Sequence, residues 1–161
     1  MNVQEATTRR LPDLKERHLP ENCRETINTI LKETYGYEQF RNLEIYDDLS
    51  KGKEKLCISQ GQLIENVILE AEKAWKSETQ VDNILLTAPT GSGKSLLFQL
   101  PAIYLGKEYN LLTIVVSPLK ALIVDQVESL QELGYARVAY ASSDLSPEQK
   151  MEVYRQGRGG G

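Results

Sequence analysis

At 161 residues, 18.2 kDa and a formal net charge of −4, the chain is long enough for one well-packed domain and too short for two joined by a linker. A hydrophobic content of 40% and a charged content of 26% are those of a globular protein, and the sequence holds no run of about 18 apolar residues to cross a bilayer. The acidic balance excludes bulk attraction to a polyanion, so any nucleic-acid contact must come from locally placed donors.

The opening Met1-Asn2-Val3-Gln4-Glu5 lacks the basic start and apolar stretch of a secretory signal, which makes the cytoplasm the expected compartment. His18 is the single histidine. It follows Lys15-Glu16-Arg17 and reads as a solvated side chain. Cys23 and Cys57 have no Cys-x-x-Cys partner and read as free thiols. From Glu25 to Tyr35, Ile27, Ile30, Leu31 and Tyr35 recur at helical spacing, and Gly36 follows as a stop. Asn42 to Lys55, with Asp47-Asp48 and Lys51-Gly52-Lys53-Glu54-Lys55, reads as a polar loop or connector, its carboxylates solvated. Leu63, Ile64, Val67, Ile68, Ala71, Ala74 and Trp75 then predict a core-facing helix from about Gln62 to Lys76.

After about Gln80 the pattern changes to alternating strand and helix. Ile84-Leu85-Leu86-Thr87 predicts a strand. It runs into Ala88-Pro89-Thr90-Gly91-Ser92-Gly93-Lys94-Ser95 and then the helical stretch that begins Leu96-Leu97-Phe98-Gln99-Leu100. Leu111-Leu112-Thr113-Ile114-Val115-Val116 is a continuous β-branched run, the signature of a strand buried on both faces of a parallel sheet. Leu119 to Leu133 predicts the crossover helix, stopped by Gly134, and Arg137-Val138-Ala139-Tyr140-Ala141 a third strand. Ser146-Pro147-Glu148-Gln149 combines an N-cap serine, a proline at the first helical position and a glutamine at the third, a helix start. The expected fold class is α/β, a parallel sheet flanked by helices and preceded by a helical N-terminal segment. Three parts are expected: an extension over 1–24, a helical segment over 25–80, and the α/β part over 81–161.

A strand, a glycine-rich turn and Gly-Lys-Ser opening a helix form the layout of a triphosphate cradle, or P-loop. Backbone N–H groups of the turn converge on one concavity, and the helix N-terminus adds partial positive charge. Gly91 and Gly93 permit positive φ and close approach of a phosphate. Lys94 is placed to reach the β and γ phosphates of ATP, and the Ser95 hydroxyl to ligate Mg²⁺; Thr90 and Ser92 complete the turn. The plainer reading is a glycine-rich turn with no ligand. The general pattern begins with Gly where this chain has Ala88, and Ala-x-Thr-Gly-x-Gly-Lys-Ser resembles the first motif of superfamily-two helicases more than that of kinases or small GTPases.

Three stretches resemble RecQ-type DNA helicases in the right order. Leu31-Lys32-Glu33-Thr34-Tyr35-Gly36-Tyr37-Glu38-Gln39-Phe40-Arg41 is similar to the motif upstream of their P-loop. Ser92 to Ala102 resembles their P-loop helix, and Val115-Val116-Ser117-Pro118-Leu119-Lys120-Ala121-Leu122-Ile123-Val124-Asp125-Gln126 their next motif. The resemblance covers about Leu31 to Gly157 and implies a partial RecA-like domain. It further implies that Tyr37, Arg41 and Gln62 hold the adenine of ATP. An aromatic face stacks on a base, and a glutamine amide matches the N6 donor and N7 acceptor of adenine. In the family that glutamine follows the arginine after about two residues, whereas here the stretch from Asn42 to Ser59 intervenes and is read as an insertion. Tyr37 and Phe40 are alternatively ordinary core aromatics, the reading preferred for Phe40. The resemblance places Ser117, Lys120 and Gln126 along a single-stranded DNA path, where hydroxyl and ammonium groups contact phosphates without reading sequence. Ser117-Pro118 could instead simply end a strand.

The same resemblance implies an Asp-Glu motif for Mg²⁺ and water, and this chain contains no Asp-Glu pair. Nor does it contain a second domain able to supply an arginine finger. The expectation is therefore the N-terminal part of an ATP-dependent DNA helicase, weak in nucleotide binding and nearly inactive alone. Its alternative is a non-catalytic nucleotide- or partner-binding module, either the missing remainder of a helicase or another protein being the partner. A different P-loop enzyme such as a kinase would leave Ser117-Pro118-Leu119 unexplained.

Overall fold

The computed structural model describes residues 16–46, 55–77, 81, 83–86 and 91–158. Among them the order of elements is α1 (Glu21–Tyr35), β1 (Asn42–Tyr46), β2 (Lys55–Ser59), α2 (Gln60–Trp75), α3 (Leu96–Tyr109), α4 (Lys120–Glu132) and α5 (Pro147–Arg158).

Helix α1 starts four residues before its expected beginning, directly after Pro20. Gly36 ends it at φ 69°, a left-handed conformation that glycine adopts without Cβ strain. Its N–H donates to the Lys32 carbonyl at 3.0 Å and that of Tyr37 to the Leu31 carbonyl at 3.5 Å, which satisfies two carbonyls that the helix end would leave bare. The polar connector expected over Asn42 to Lys55 instead begins with the strand β1 and ends on the first residue of β2. β1 and β2 pair antiparallel in the register Asn42↔Ser59 to Tyr46↔Lys55, so Leu43 and Ile58 sit opposite each other and both are buried. Alternation over only five residues a side was hidden by the polar residues between them; those residues, 47–54 with Asp47-Asp48, lie outside the described part.

Helix α2 begins at Gln60, two residues early, because the Ser59 hydroxyl accepts from the Gly61 N–H at 3.2 Å and caps it. A Cβ on Gly61 would stand 2.6 Å from the Phe40 ring. Glycine therefore lets Phe40 lie against the helix start and join the core, as expected for an ordinary core aromatic. The core is built where α1, the hairpin, α2 and α3 meet, from Ile27, Ile30, Leu31, Ile58, Ile64, Ile68, Leu100 and Ile103. Burying each such side chain contributes about 1.5–3 kcal/mol.

Two carboxylates of α2 are buried and compensated. Glu70 receives Arg17 at 2.6 Å and Lys73 at 3.1 Å, and Glu72 accepts the Tyr109 hydroxyl at 2.7 Å. That bond, ahead of burial, pushes the Tyr109 phenol up to about 12. The chain before α1 is strapped to α2 by the Arg17 contact, by the Leu19 N–H donating to Glu65 at 3.0 Å, and by Leu19 itself, buried in the core. His18 is half-exposed and lies 3.4 Å from the Glu65 carboxylate. Cys23 and Cys57 are free thiols.

The second half departs from expectation in its strands. Among the described residues the sheet is two-stranded and antiparallel, and residues 83–86, 111–116 and 137–141 join no ladder. Leu85, Ile114 and Val116 are exposed by 88%, 76% and 89%. An interior parallel strand needs a neighbour on each side and a helical layer on each face before burial outweighs its ordering. The helices between these segments form nonetheless. Gly134 stops α4 at φ 81°, and the Ser146 hydroxyl accepts from the Gln149 N–H at 3.2 Å while the Gln149 side chain accepts from the Ser146 N–H at 2.8 Å. This is the reciprocal capping box read from the sequence. The overall class is a mixed helix-and-sheet protein. No helix among the described residues is long and apolar enough to cross a membrane.

Candidate nucleotide site

Gly91 and Gly93 both sit at φ 80°, which turns the chain sharply into α3. Every carbonyl from Ser92 to Ser95 is taken by the protein. Those of Ser92 and Gly93 accept from the Gln60 amide at 3.3 Å each, that of Gly93 also from Leu96, that of Lys94 from Leu97 at 3.0 Å, and that of Ser95 from Phe98 and Gln99. With these acceptors paired within the protein, the turn at the α3 N-terminus has the polarity that suits an anion. Lys94 is exposed and Ser95 half-buried at the helix N-terminus, where the Ser95 side chain makes no cap hydrogen bond. The Ser92 hydroxyl is buried with no hydrogen-bond partner among the described residues. Thr90 and the residues from Thr87 to Pro89 lie outside the described part.

Gln60 is the residue that sequence reasoning missed. Only 2% exposed, it accepts at Oε1 from the Arg41 N–H at 3.1 Å, donates its own backbone N–H to the Arg41 carbonyl at 2.9 Å, and donates from Nε2 to the turn. One amide thus joins the upstream motif to the P-loop turn. A Cβ on Gly93 would stand 2.5 Å from Gln60 Nε2, so this glycine is required by a close approach as well as by its φ. The signal in the sequence is a glutamine at the first turn of α2 behind a capping serine.

The remaining adenine candidates are only partly gathered. Tyr37 is 49% exposed and stacks on Tyr35 with ring centroids 6.3 Å apart and 15° between planes. Arg41 is held through its backbone by Gln60, and its side chain is exposed. Gln62 instead lines a separate cleft of about 280 Å³ with Arg24, Asn28, Phe40 and Glu65, a cleft that neither Tyr37 nor Arg41 lines.

The nucleic-acid candidates also divide. The Ser117 hydroxyl accepts from the Leu119 N–H at 3.3 Å ahead of α4. Lys120, on the first turn, pairs with both oxygens of Asp144 at 2.7 and 2.8 Å and holds that exposed carboxyl below the usual range. Gln126 points the other way, accepting from Gln99 Nε2 on α3 at 2.8 Å.

Residues 67–157 match the profile of the DEAD/DEAH box helicases. The chain belongs to this family. Over 135 residues it is 32% identical to the ATP-dependent DNA helicase RecQ of Synechocystis, a match that covers 84% of this chain and 22% of that protein. Against the ATP-dependent DNA helicase RecQ of Haemophilus influenzae the identity is 31% over 128 residues, 80% of this chain and 16% of the other. Against the ATP-dependent DNA helicase Q5 of mouse it is 43% over 72 residues, 45% of this chain and 7% of the other. The RecQ-like helicase character read from the three motifs is thereby borne out. The helicase-family chain spans about a fifth or less of the length of these curated relatives. No solved structure matches it.

Proposed function

We propose that the chain carries a nucleotide-binding part of the first RecA-like domain of an ATP-dependent DNA helicase. The observation that supports this best is the Gln60 clamp, which makes Arg41 and the turn Gly91–Ser95 parts of one site. In this reading the turn from Thr90 to Ser95 holds the phosphates of ATP, with Lys94 on the β and γ groups and the Ser95 hydroxyl on Mg²⁺. The fit rests on the paired carbonyls, the two glycines at φ 80° and the Ser92 hydroxyl that is without a partner among the described residues. When bound, Mg²⁺ neutralises charge that develops on the phosphates. Tyr37 and Arg41 flank the base from the upstream motif.

Ser117 and Lys120 contact the phosphates of single-stranded DNA at the start of α4, with Lys120 exchanging Asp144 for the strand. The segments 83–86, 111–116 and 137–141 become parallel strands of a RecA-like sheet when the neighbours that they lack are supplied. Because the sequence contains no Asp-Glu pair, hydrolysis and unwinding require residues from elsewhere, and the chain alone binds Mg-ATP with little turnover.

Calorimetric titration of Mg-ATP into the chain and into Lys94→Ala, both shown folded by circular dichroism, tests the reading. One-to-one binding that the substitution abolishes is expected. A folded chain that binds no nucleotide would overturn it and favour a partner-binding module.

A further inference from the structure

The hairpin decides which glutamine stands beside Arg41. The ladder of β1 and β2 ends on the pair Asn42↔Ser59, and the same register sets Arg41 opposite Gln60. There the Gln60 N–H donates to the Arg41 carbonyl at 2.9 Å and the Arg41 N–H to Gln60 Oε1 at 3.1 Å. Helical residues two positions apart stand roughly 200° apart around the axis. With Gln60 aimed at the P-loop turn, Gln62 leaves α2 on the far side, where it lines the cleft of about 280 Å³ with Arg24, Asn28, Phe40 and Glu65. Neither Tyr37 nor Arg41 lines that cleft. Gln60, the amide that does lie at the site, has both ends engaged, Oε1 on Arg41 and Nε2 on the carbonyls of Ser92 and Gly93, and is almost wholly buried.

We propose that the nucleotide site takes purine nucleoside triphosphates without distinguishing adenine from guanine, Gln62 standing outside it; the proposal rests on the reading of the P-loop turn given above. Adenine presents a donor at N6 beside the N7 acceptor, and guanine an acceptor at O6 beside N7. Telling the two apart takes a side chain that matches one edge and is left unpaired against the other. The half-exposed Tyr37 ring and the exposed Arg41 guanidinium offer faces, on which either purine stacks. The Gln60 amide could reach a base edge only by giving up its bonds to Arg41 and to the turn, which would leave buried polar groups unpaired. Affinity then comes from the phosphates and from stacking, and ATP and GTP offer both alike.

The test is displacement of a ribose-labelled fluorescent Mg-ATP analogue from the complete 161-residue chain by unlabelled Mg-ATP and by Mg-GTP. The two midpoints are expected to agree within about fivefold, the least discrimination that one bidentate amide-to-base contact gives. Gln62→Ala, shown folded by circular dichroism, is expected to move either midpoint by less than about twofold, as a substitution outside the site does. A wild-type preference for ATP above about fivefold overturns the proposal while leaving the phosphate site in place, and this arm needs no variant to fold. A Gln62→Ala chain that loses affinity for ATP and keeps it for GTP overturns it too, because Gln62 then reads adenine. A wild type that does not bind the labelled nucleotide, or a Lys94→Ala chain that binds it equally well, overturns the reading of the P-loop turn itself, and the base tolerance with it.

Discussion

Helix α2 and the segment Leu111–Val116 each carry five Leu, Ile and Val residues, and they reach opposite environments. Ile64 and Ile68 are 0% exposed, while Ile114 and Val116 are exposed by 76% and 89%. A helix satisfies its own backbone and needs only one apolar face covered, which α1, the hairpin and α3 provide. An extended segment satisfies nothing by itself; it needs a strand on either side as well as covered faces. Apolar composition therefore establishes that a segment favours burial, and architecture decides whether the partner is at hand.

The sharpest way to break this contrast is a matched pair of truncations. Ile64→Ala is expected to lower the unfolding free energy by about 2–5 kcal/mol in urea titration. Val116→Ala is expected to change it by less than about 0.5 kcal/mol. Equal losses would erase the distinction between the two regions. Within the packed region a second pair isolates the Gln60 clamp. Gly91→Ala and Gly93→Ala share the same φ cost, but only Gly93 faces the Gln60 amide. Gly93→Ala should be the more destabilising by about 1–3 kcal/mol, the penalty for disturbing a buried polar group, and Gln60→Ala in the same chain should shrink the gap. No gap in thermal or urea unfolding would mean that the clamp carries no energy.

In the open region the effects are smaller and local. Ser146→Ala removes the cap of α5 and is expected to cost that helix about 1 kcal/mol. The loss should show as faster amide exchange in Pro147–Arg158 with the main unfolding transition unmoved. A shifted main transition would show that α5 belongs to the cooperative core. The smallest effect is a pH dependence inside the packed region. Because its phenol is raised when folded, the Tyr109 bond to Glu72 is fully present below about pH 10 and is lost as pH rises towards about 12. Tyr109→Phe should flatten the alkaline stability slope in that window. Identical slopes for the two proteins would refute the assignment.

The helices were legible because their signals are local. Gly36, Gly134 and the Ser146–Gln149 box act within one turn, and each is found in the role that its residue type suggests. The extended segments were legible only as apolar runs, because their pairing depends on residues far away in the chain. The hairpin was missed because two five-residue strands flank a polar stretch that dominates any local average. At the site, Lys94, Ser95 and the two glycines announce themselves by spacing. Gln60 does not, since a buried amide acquires its partners only when three separate elements converge.

The strap from Arg17 to Leu19 ties the residues before α1 into the folded unit. Trimming the chain to the first residue of α1 would take the Arg17 cation from Glu70, remove the N–H that Glu65 accepts and leave a side-chain-sized gap at the Leu19 position. A limited protease digest should accordingly spare the peptide bonds between Arg17 and Glu21, and a shortened gene intended to retain the fold has to begin upstream of Arg17.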